Sequence, residues 1–183
     1  MAVTAAKSVM AFRVLTMAVD LCRLTTRTMN VNAGHERTSK ARIIHQIQLI
    51  RGITVDTIVD AGGKLIVHEE AVAYTTRLNN GGTLDVREKG SATGIQQSSQ
   101  GALVATTRAT RVTGTRADGV AFSIEQGAAN NILLANGGVL TVESDTSSDK
   151  TQVNTGGREI VKTKATATGT TLTGGQQIVE AGR

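Results

Sequence analysis

The sequence contains no proline, a single cysteine and very few aromatic residues among its 183 positions. Because proline is the residue that lacks a backbone N–H, its absence leaves the whole chain able to form continuous hydrogen-bond ladders. Phe12, Tyr74 and Phe122 are the only aromatic side chains, so a core must be built from valine, leucine, isoleucine and alanine. Cys22 alone excludes an intramolecular disulfide and a metal site of paired cysteines.

Positive charge and glycine are distributed unequally along the chain. The formal net charge of +5 arises before residue 52, where eight basic residues oppose two acidic ones, whereas twelve basic and thirteen acidic residues follow. Of the 20 glycines, only Gly34 precedes residue 52. These compositions predict two domains: a basic N-terminal segment, residues 1–51, and an unrelated region, residues 52–183.

The basic segment allows two interpretations. Residues 37–51, RTSKARIIHQIQLIR, can be drawn as a helix with Ile43, Ile44, Ile47 and Ile50 on one side and cations on the other, which is typical of a membrane-surface helix. A disordered leader is the alternative, and the lack of aromatic anchors favours it. We therefore expect no membrane contact by residues 1–51 and no nucleic-acid partner.

A short sequence unit recurs through the second region. Its starts are separated by 19, 19, 19, 18, 19 and 18 residues, and a period this regular indicates an internal structural repeat. The copies begin GGKLIV at Gly62, GGTLDV at Gly81, QGALVA at Gln100, GVAFSI at Gly119, GGVLTV at Gly137, GGREIV at Gly156 and GGQQIV at Gly174.

Each copy reads as two short strands joined by glycine corners. The fourth and sixth positions are mainly apolar, as in Leu65 and Val67, and a spacing of two is the strand period. The paired glycines suit sharp turns with positive φ. Two later copies place Glu159 and Gln177 at the fourth position, and Gln97 interrupts an apolar column of the second strand, as does Arg116.

Two strands in about 19 residues cannot bury a core alone, but stacked copies can. The sequence therefore predicts an all-β fold, a right-handed parallel β-helix of about seven coils over residues 52–183, with the handedness taken from the crossover rule. An antiparallel sandwich of short hairpins is the alternative, but it gives no reason for the fixed period.

The repeat resembles the passenger domains of AIDA-type and antigen-43-like autotransporter adhesins. The most specific stretches are NNGGTLDVREKGSATG at 79–94 and VTGTRADGVAFSIEQGAANNILLANGGVLTV at 112–142. The resemblance covers roughly residues 52–183. It implies a β-helix at the cell surface or outer membrane that mediates self-association, biofilm formation or adhesion, with itself or molecules of host and bacterial surfaces as partners.

The flanks depart from that family pattern. The apolar stretch 8–22 is interrupted by Arg13 and stopped by Asp20, which is not typical of a signal peptide or a membrane-spanning helix. No translocator strands follow Arg183, and the last copy stops partway. We therefore expect a truncated, internal piece of a passenger that stays cytoplasmic or unexported when made as it stands. A fragment with no function of its own is the alternative, because open ends of the stack expose ladder edges.

Enzymatic chemistry is the rival hypothesis, because parallel β-helices also carry carbohydrate-active sites. Such a site needs converging carboxylates, and the column after the first strand mixes charges instead. Stacking predicts Glu125 and Glu143 to be neighbours one rung apart, as part of a solvated charged edge. We expect no enzyme activity, no cofactor and no metal site. The column comprises His68, Arg87, Thr106, Glu125, Glu143, Lys162 and Glu180.

Self-association would depend on polar side chains at corners and on outward strand positions. Many weak hydrogen bonds along a flat surface add up to appreciable binding. The predicted contributors, chosen because those positions place them in solvent, are Asn79, Asn80, Arg87, Thr151, Asn154 and Thr155.

Overall fold

The computed structural model describes residues 42–180, and all regular structure within that range is strand. This part of the chain contains no helix of the length and apolar character that crossing a membrane requires. In chain order the strands are β1 Arg42–Ile44, β2 Ile47–Ile50, β3 Ile53–Val59, β4 Lys64–Val67, β5 Val72–Leu78, β6 Thr83–Val86, β7 Ser91–Gln97, β8 Ala102–Thr106, β9 Arg111–Arg116, β10 Ala121–Glu125, β11 Ala128–Asn130, β12 Leu133–Leu134, β13 Val139–Val142, β14 Ser147–Asp149, β15 Gln152–Asn154, β16 Arg158–Val161, β17 Thr166–Thr168, β18 Thr171–Thr173 and β19 Gln176–Val179.

These strands form three sheets that run along one solenoid. A seven-stranded sheet has the order β19-β16-β13-β8-β6-β4-β2, a nine-stranded sheet has the order β1-β3-β5-β7-β9-β10-β11-β14-β17, and β12, β15 and β18 form a third. Nearly all neighbours are parallel, and most parallel pairs join residues 19 apart, as Leu65 with Leu84 and Leu84 with Leu103. The predicted parallel β-helix is confirmed.

The core consists of aliphatic columns between the sheets. Strand alternation sends every second side chain inward, and Leu65, Leu84 and Leu103 stack there with 0% exposure. Phe122 is the one aromatic side chain in the hydrophobic core of the described residues. The aliphatic composition expected from the sequence therefore accounts for the buried apolar area.

Three columns of positive-φ residues turn each coil. One consists of glycines, including Gly62 (φ 80°), Gly81 (φ 78°) and Gly156 (φ 78°), as the glycine pairs predict. The other two consist mainly of polar residues, spaced by 19 apart from one step of 37 in each column, and the sequence alone did not single them out as corners. These are Glu70, Lys89, Gln126, Asp145 and Lys164, and Asp56, Thr75, Gly94, Asn131, Lys150 and Gly169.

The solenoid begins earlier than predicted. β1 pairs with β3 and β2 pairs with β4, both in parallel, so residues 42–50 already form a coil. This corrects the boundary at residue 52 and the drawing of residues 42–50 as a helix. The isoleucine spacing fits one helix face, but it also fits two short strands broken at His45 and Gln46, and pairing with the next coil decides between them. Residues 1–41 lie outside the described residues.

The copy at Gly119 does not form a coil. β10 folds back antiparallel onto β9, and β11 folds back onto β10, so GVAFSI lies in the nine-stranded sheet. In the seven-stranded sheet β8 therefore pairs directly with β13, and Leu140 lies opposite Ala105 rather than Leu103. Antiparallel pairing keeps Phe122 and Ile124 buried, because alternation along a strand is the same in either direction.

Side chains bridge the coils on either side of this hairpin. The Gln97 amide donates to the carbonyls of Gly101 and Leu133, both at 3.0 Å, and Arg116 donates to the Asn131 carbonyl at 3.2 Å. The Gln97–Leu133 separation is 36 residues, as is that of the Thr107–Glu143 hydrogen bond. The two residues that interrupt the apolar column therefore hold the coils together where one copy leaves the stack.

Candidate interaction surfaces

The residues predicted to mediate self-association differ in their solvent exposure. Asn80, Arg87 and Thr155 are exposed, whereas Asn79 and Asn154 are half-buried. Thr151 is fully buried, which corrects its predicted position in solvent. Lys150 has φ 53° and turns the chain, so the next side chain points inward, as Thr76 does after Thr75.

The two asparagines at 79 and 80 hold neighbouring coils together. The Asn79 amide donates to the Asp60 carboxylate at 2.6 Å, and the Asn80 carbonyl oxygen accepts from the backbone N–H of Gln100 at 3.1 Å. Each bond crosses one rung of the stack. These atoms are engaged within the molecule, so the asparagines contribute to corner geometry.

A polar cluster fills the interior of the last coils. Glu159 has 0% exposure, and its carboxylate accepts hydrogen bonds from Ser148 at 2.8 Å and from Thr170 and Gln177 at 2.9 Å. Buried carboxylates are costly unless their oxygens are satisfied. Glu159 departs from the apolar pattern of the repeat, and three donors from three different coil segments satisfy its carboxylate.

A polar surface covers the outer side of the last two coils on both sides of the corner at Lys150 and Gly169; we call it the threonine face. Its outward side chains form four two-residue ladders on adjacent sheets, and the four threonines are exposed. The sequence contains these threonines in the stretch TATGTTLT. Which of them point outward could be assigned only once the structure located the corner at Gly169. The pairs are Ser147–Thr166, Asp149–Thr168, Gln152–Thr171 and Asn154–Thr173.

A shallow trough lies on the outer face of the seven-stranded sheet and has a volume of about 690 Å³. Its floor is aliphatic at Leu49, Ile66 and Val104 of β2, β4 and β8, and the carboxylate of Asp85 on β6 lies between the last two. The trough also collects four members of the charged column predicted from the sequence, which are His68, Arg87, Thr106 and Glu143.

Glu125 is not part of this trough. It belongs to β10 in the nine-stranded sheet and forms an ion pair with Arg111 at 2.8 Å, whereas Glu143 follows β13 in the seven-stranded sheet. The prediction that Glu125 and Glu143 are neighbours one rung apart is therefore wrong, because the hairpin removes Glu125 from that stack. Two other members of the column, Lys162 and Glu180, form an ion pair at 2.7 Å.

Ion pairs neutralise part of the trough. Asp85 points outward, yet its side chain is only 4% exposed, because Lys64 and Arg87 approach its carboxylate to 3.1 Å and 3.0 Å. On the rim, the hydrogen bond from Lys89 at 2.8 Å lowers the pKa of Glu69, and the same bond raises the pKa of Lys89. The Glu69–Lys89 pair therefore stays charged at neutral pH.

Two rim carboxylates have no such partner. Among residues 42–180, neither Glu88 nor Glu143 makes an ion pair within 4.0 Å. The same described range holds no group of three His, Cys, Asp or Glu side chains arranged for a metal ion. The Coulombic influence of Glu88 nevertheless reaches Lys89 and that of Glu143 reaches Lys162, so the rim carries charges of both signs.

Comparison with known proteins shows that parts of this chain are similar to several of them. Residues 113–176 match the model of a family described as adhesin of bacterial autotransporter system, probable stalk. A segment of 102 residues, 56% of this chain, is 97% identical to the probable autotransporter YpjA of Escherichia coli strain K12. The matched segment spans 7% of the length of that relative.

One solved structure is also similar in part. It is the crystal structure of a TibC-catalysed hyper-glycosylated TibA fragment, which is 20% identical to this chain. The match covers 79% of this chain and 54% of that one, with a TM-score of 0.43.

Proposed function

Because the repeat region of this chain belongs to the AIDA-type family of autotransporter adhesin passenger domains, we propose that it acts as an adhesive module that associates with copies of itself. The association is lateral and polar, and the threonine face is its principal surface. Molecules on host or bacterial surfaces are the further partners that such an adhesin would meet. Its place of action is the cell surface, as part of an exported passenger.

The observation that carries this proposal is the set of four outward ladders. Stacked coils place hydrogen-bonding side chains in straight rows about 4.8 Å apart, so a second identical face can meet them with matching spacing. Each contact is weak, but several act together because the rows are rigid. Of the residues first predicted, Asn154 belongs to this face and Thr155 lies beside it.

We propose a non-enzymatic role for this module. The carboxylate pair suggested by the sequence, Glu125 and Glu143, is divided between two sheets, and Glu125 is bound to Arg111. Glu159, the buried carboxylate, has 0% exposure and accepts three hydrogen bonds, so no substrate reaches it. Both observations support adhesion over catalysis.

Sedimentation velocity of the full chain over a range of concentrations tests the proposed self-association. We expect the wild-type sedimentation coefficient to rise with concentration and the double variant Thr171→Arg, Thr173→Arg to remain monomeric, because arginines on facing copies repel each other. Thr115→Arg, on an exposed position of β9, is the matched control and should behave as wild type. A wild-type coefficient that stays constant, or equal loss in both variants, contradicts the proposal.

A further inference from the structure

The strands β1, β3 and β5 carry an apolar surface on the outer wall of the first coils; we call it the apolar shoulder. Strand alternation points its side chains away from the core, in which Thr54 and Val59 are buried. On the next strand, β7, the matching outward positions are the polar residues Ser91 and Thr93, so the apolar surface ends there. The shoulder comprises Ile43, Ile53, Val55, Ile58, Val72 and Tyr74.

This shoulder is open to solvent at the end of the stack where the preceding chain enters. Ile43 is 60% and Tyr74 is 45% exposed, and the other four side chains are partly exposed. Single apolar side chains on a surface are ordinary, but a contiguous group of them is typical of a contact site. Because Ile43 belongs to β1, the residues before Arg42 reach the solenoid directly beside the shoulder.

The size of the shoulder favours an occupant from the same chain over a second molecule. Six side chains offer on the order of 300–400 Å² of apolar surface, whereas each partner of a standard interface contributes about 800 Å². A linked segment needs less area, because linkage raises its effective concentration to about the millimolar range. Charge does not select the occupant, since Asp56 and Arg77 border the shoulder with opposite signs.

The sequence before β1 contains an apolar stretch with a single polar stripe. Between Val9 and Leu24, every charged or hydroxyl-bearing residue follows the previous one by three or four positions. This spacing predicts a helix that carries all four on one side and is apolar over the rest of its surface. Residues 25–41 connect the stretch to Arg42, and 17 residues span up to about 55 Å when extended. The four polar residues are Arg13, Thr16, Asp20 and Arg23.

We propose that residues 9–24 form a helix that packs its apolar side on the shoulder of the same molecule. Val14, Ala18 and Leu21 then face the solenoid, and the polar stripe faces solvent. The N-terminal segment thus acts as a strap that keeps other molecules from the apolar shoulder. This contact lies on the first coils, so it is separate from the threonine face on the last two.

Tyrosine fluorescence of the full chain reports directly on the contact, because Tyr74 is the only tyrosine and the chain contains no tryptophan. We expect quenching by acrylamide to be weak and independent of protein concentration. Val14→Asp places a charge on the apolar side of the helix and should raise the Stern–Volmer constant about twofold or more by releasing the strap. Thr16→Asp adds the same charge to the polar stripe and should leave the constant unchanged.

The single cysteine gives a second readout, from the other side of the contact. Cys22 falls on the apolar side of the predicted helix, so its reaction with a water-soluble aromatic disulfide should be slow in the wild type. Val55→Asp on the shoulder should accelerate this reaction about threefold or more, whereas Thr115→Asp, on an exposed position of β9, should not. Circular dichroism should give the same β spectrum for all four variants.

Three results would overturn the proposal. They are strong quenching of Tyr74 in the wild type, protection of Tyr74 that rises with protein concentration, and equal effects of Val14→Asp and Thr16→Asp. The second result would assign the shoulder to another copy of the chain. The sedimentation result for the threonine face is independent of each outcome, because it depends on variants of β18.

Discussion

Glu159 occupies an interior position that apolar residues fill in earlier coils. In the seven-stranded sheet it lies opposite Leu140, and its carboxylate oxygens accept from Ser148, Thr170 and Gln177. The donors are satisfied only while an acceptor stands at this position. The residue therefore stabilises the last coils through hydrogen bonds rather than through apolar contact.

Glu159→Gln should lower the free energy of unfolding by about 1–3 kcal/mol, because its NH₂ group would face donors and leave some of them unsatisfied in the interior. Urea unfolding followed by circular dichroism measures the change. Glu125→Gln, on a side chain that is 44% exposed, makes the same chemical change at the surface and should alter stability by no more than about 0.5 kcal/mol. Equal effects of the two substitutions would show that the buried network contributes nothing.

The corners are the element on which stacking depends, and the two glycines of a pair have different roles. The first takes positive φ, whereas the second lies against the carbonyl of the previous coil. A Cβ on Gly157 would stand 2.3 Å from the Leu134 carbonyl oxygen, and one on Gly82 would stand 2.5 Å from that of Val59. Close approach of backbones, as well as φ, explains the repeated GG.

Gly157→Ala should destabilise the protein by roughly 1–3 kcal/mol, since the new methyl group forces two hydrogen-bonded coils apart. Gly52→Ala is the control, because nothing lies within 4 Å of a Cβ there. Thermal unfolding midpoints of both variants, measured beside the wild type, give the comparison. A Gly157→Ala protein as stable as the control would mean that the coils shift freely.

The hairpin element depends on Gln97. Its side chain is 2% exposed and donates to two carbonyls that the interrupted ladder leaves without partners. Gln97→Leu matches the neighbouring Leu78 in the column but should still cost about 1–3 kcal/mol, because those carbonyls lose their donor in the interior. Gln96→Leu, on the exposed side of the same strand, should be nearly neutral in urea unfolding. A stabilised Gln97→Leu protein would contradict this role.

The sequence predicts the coils well but not every position within them. A fixed period and alternating apolar residues define stacked strands, so the columns from Leu65 to Leu103 are found without a structure. The same alternation holds for antiparallel strands, so GVAFSI could not be distinguished from a coil. Thr151 was misplaced because the corner before it is a lysine, and nothing in a lysine signals positive φ. The threonine face was predicted only in part. Which residues of a strand point outward depends on where the preceding corner lies, and the sequence did not show all the corners.

At the scale of the whole molecule, the stack tolerates one irregular copy because the two flanking coils pair directly. Deleting residues 111–127, which are 17 residues, would bring the 36-residue separation across the hairpin back to 19. Ala129 would then take the place of Val112 beside Ala92. We expect this shortened protein to fold into an uninterrupted solenoid with a circular dichroism spectrum of the same type, although Gln97 loses its special partners. An unfolded product would show that the hairpin is required for stacking.

The hairpin also gives the two principal sheets unequal lengths, nine strands against seven. Two extra strands add about 10 Å to one wall, while the opposite wall stands roughly 10 Å away and gains nothing. A turn of the axis toward the shorter wall would absorb this excess. We therefore expect an elbow in the rod, visible by small-angle X-ray scattering and lost on deletion of residues 111–127. The coils before the hairpin and the threonine face after it would then point in different directions, so that a copy aligned along the threonine face leaves the first coils projecting away from the contact.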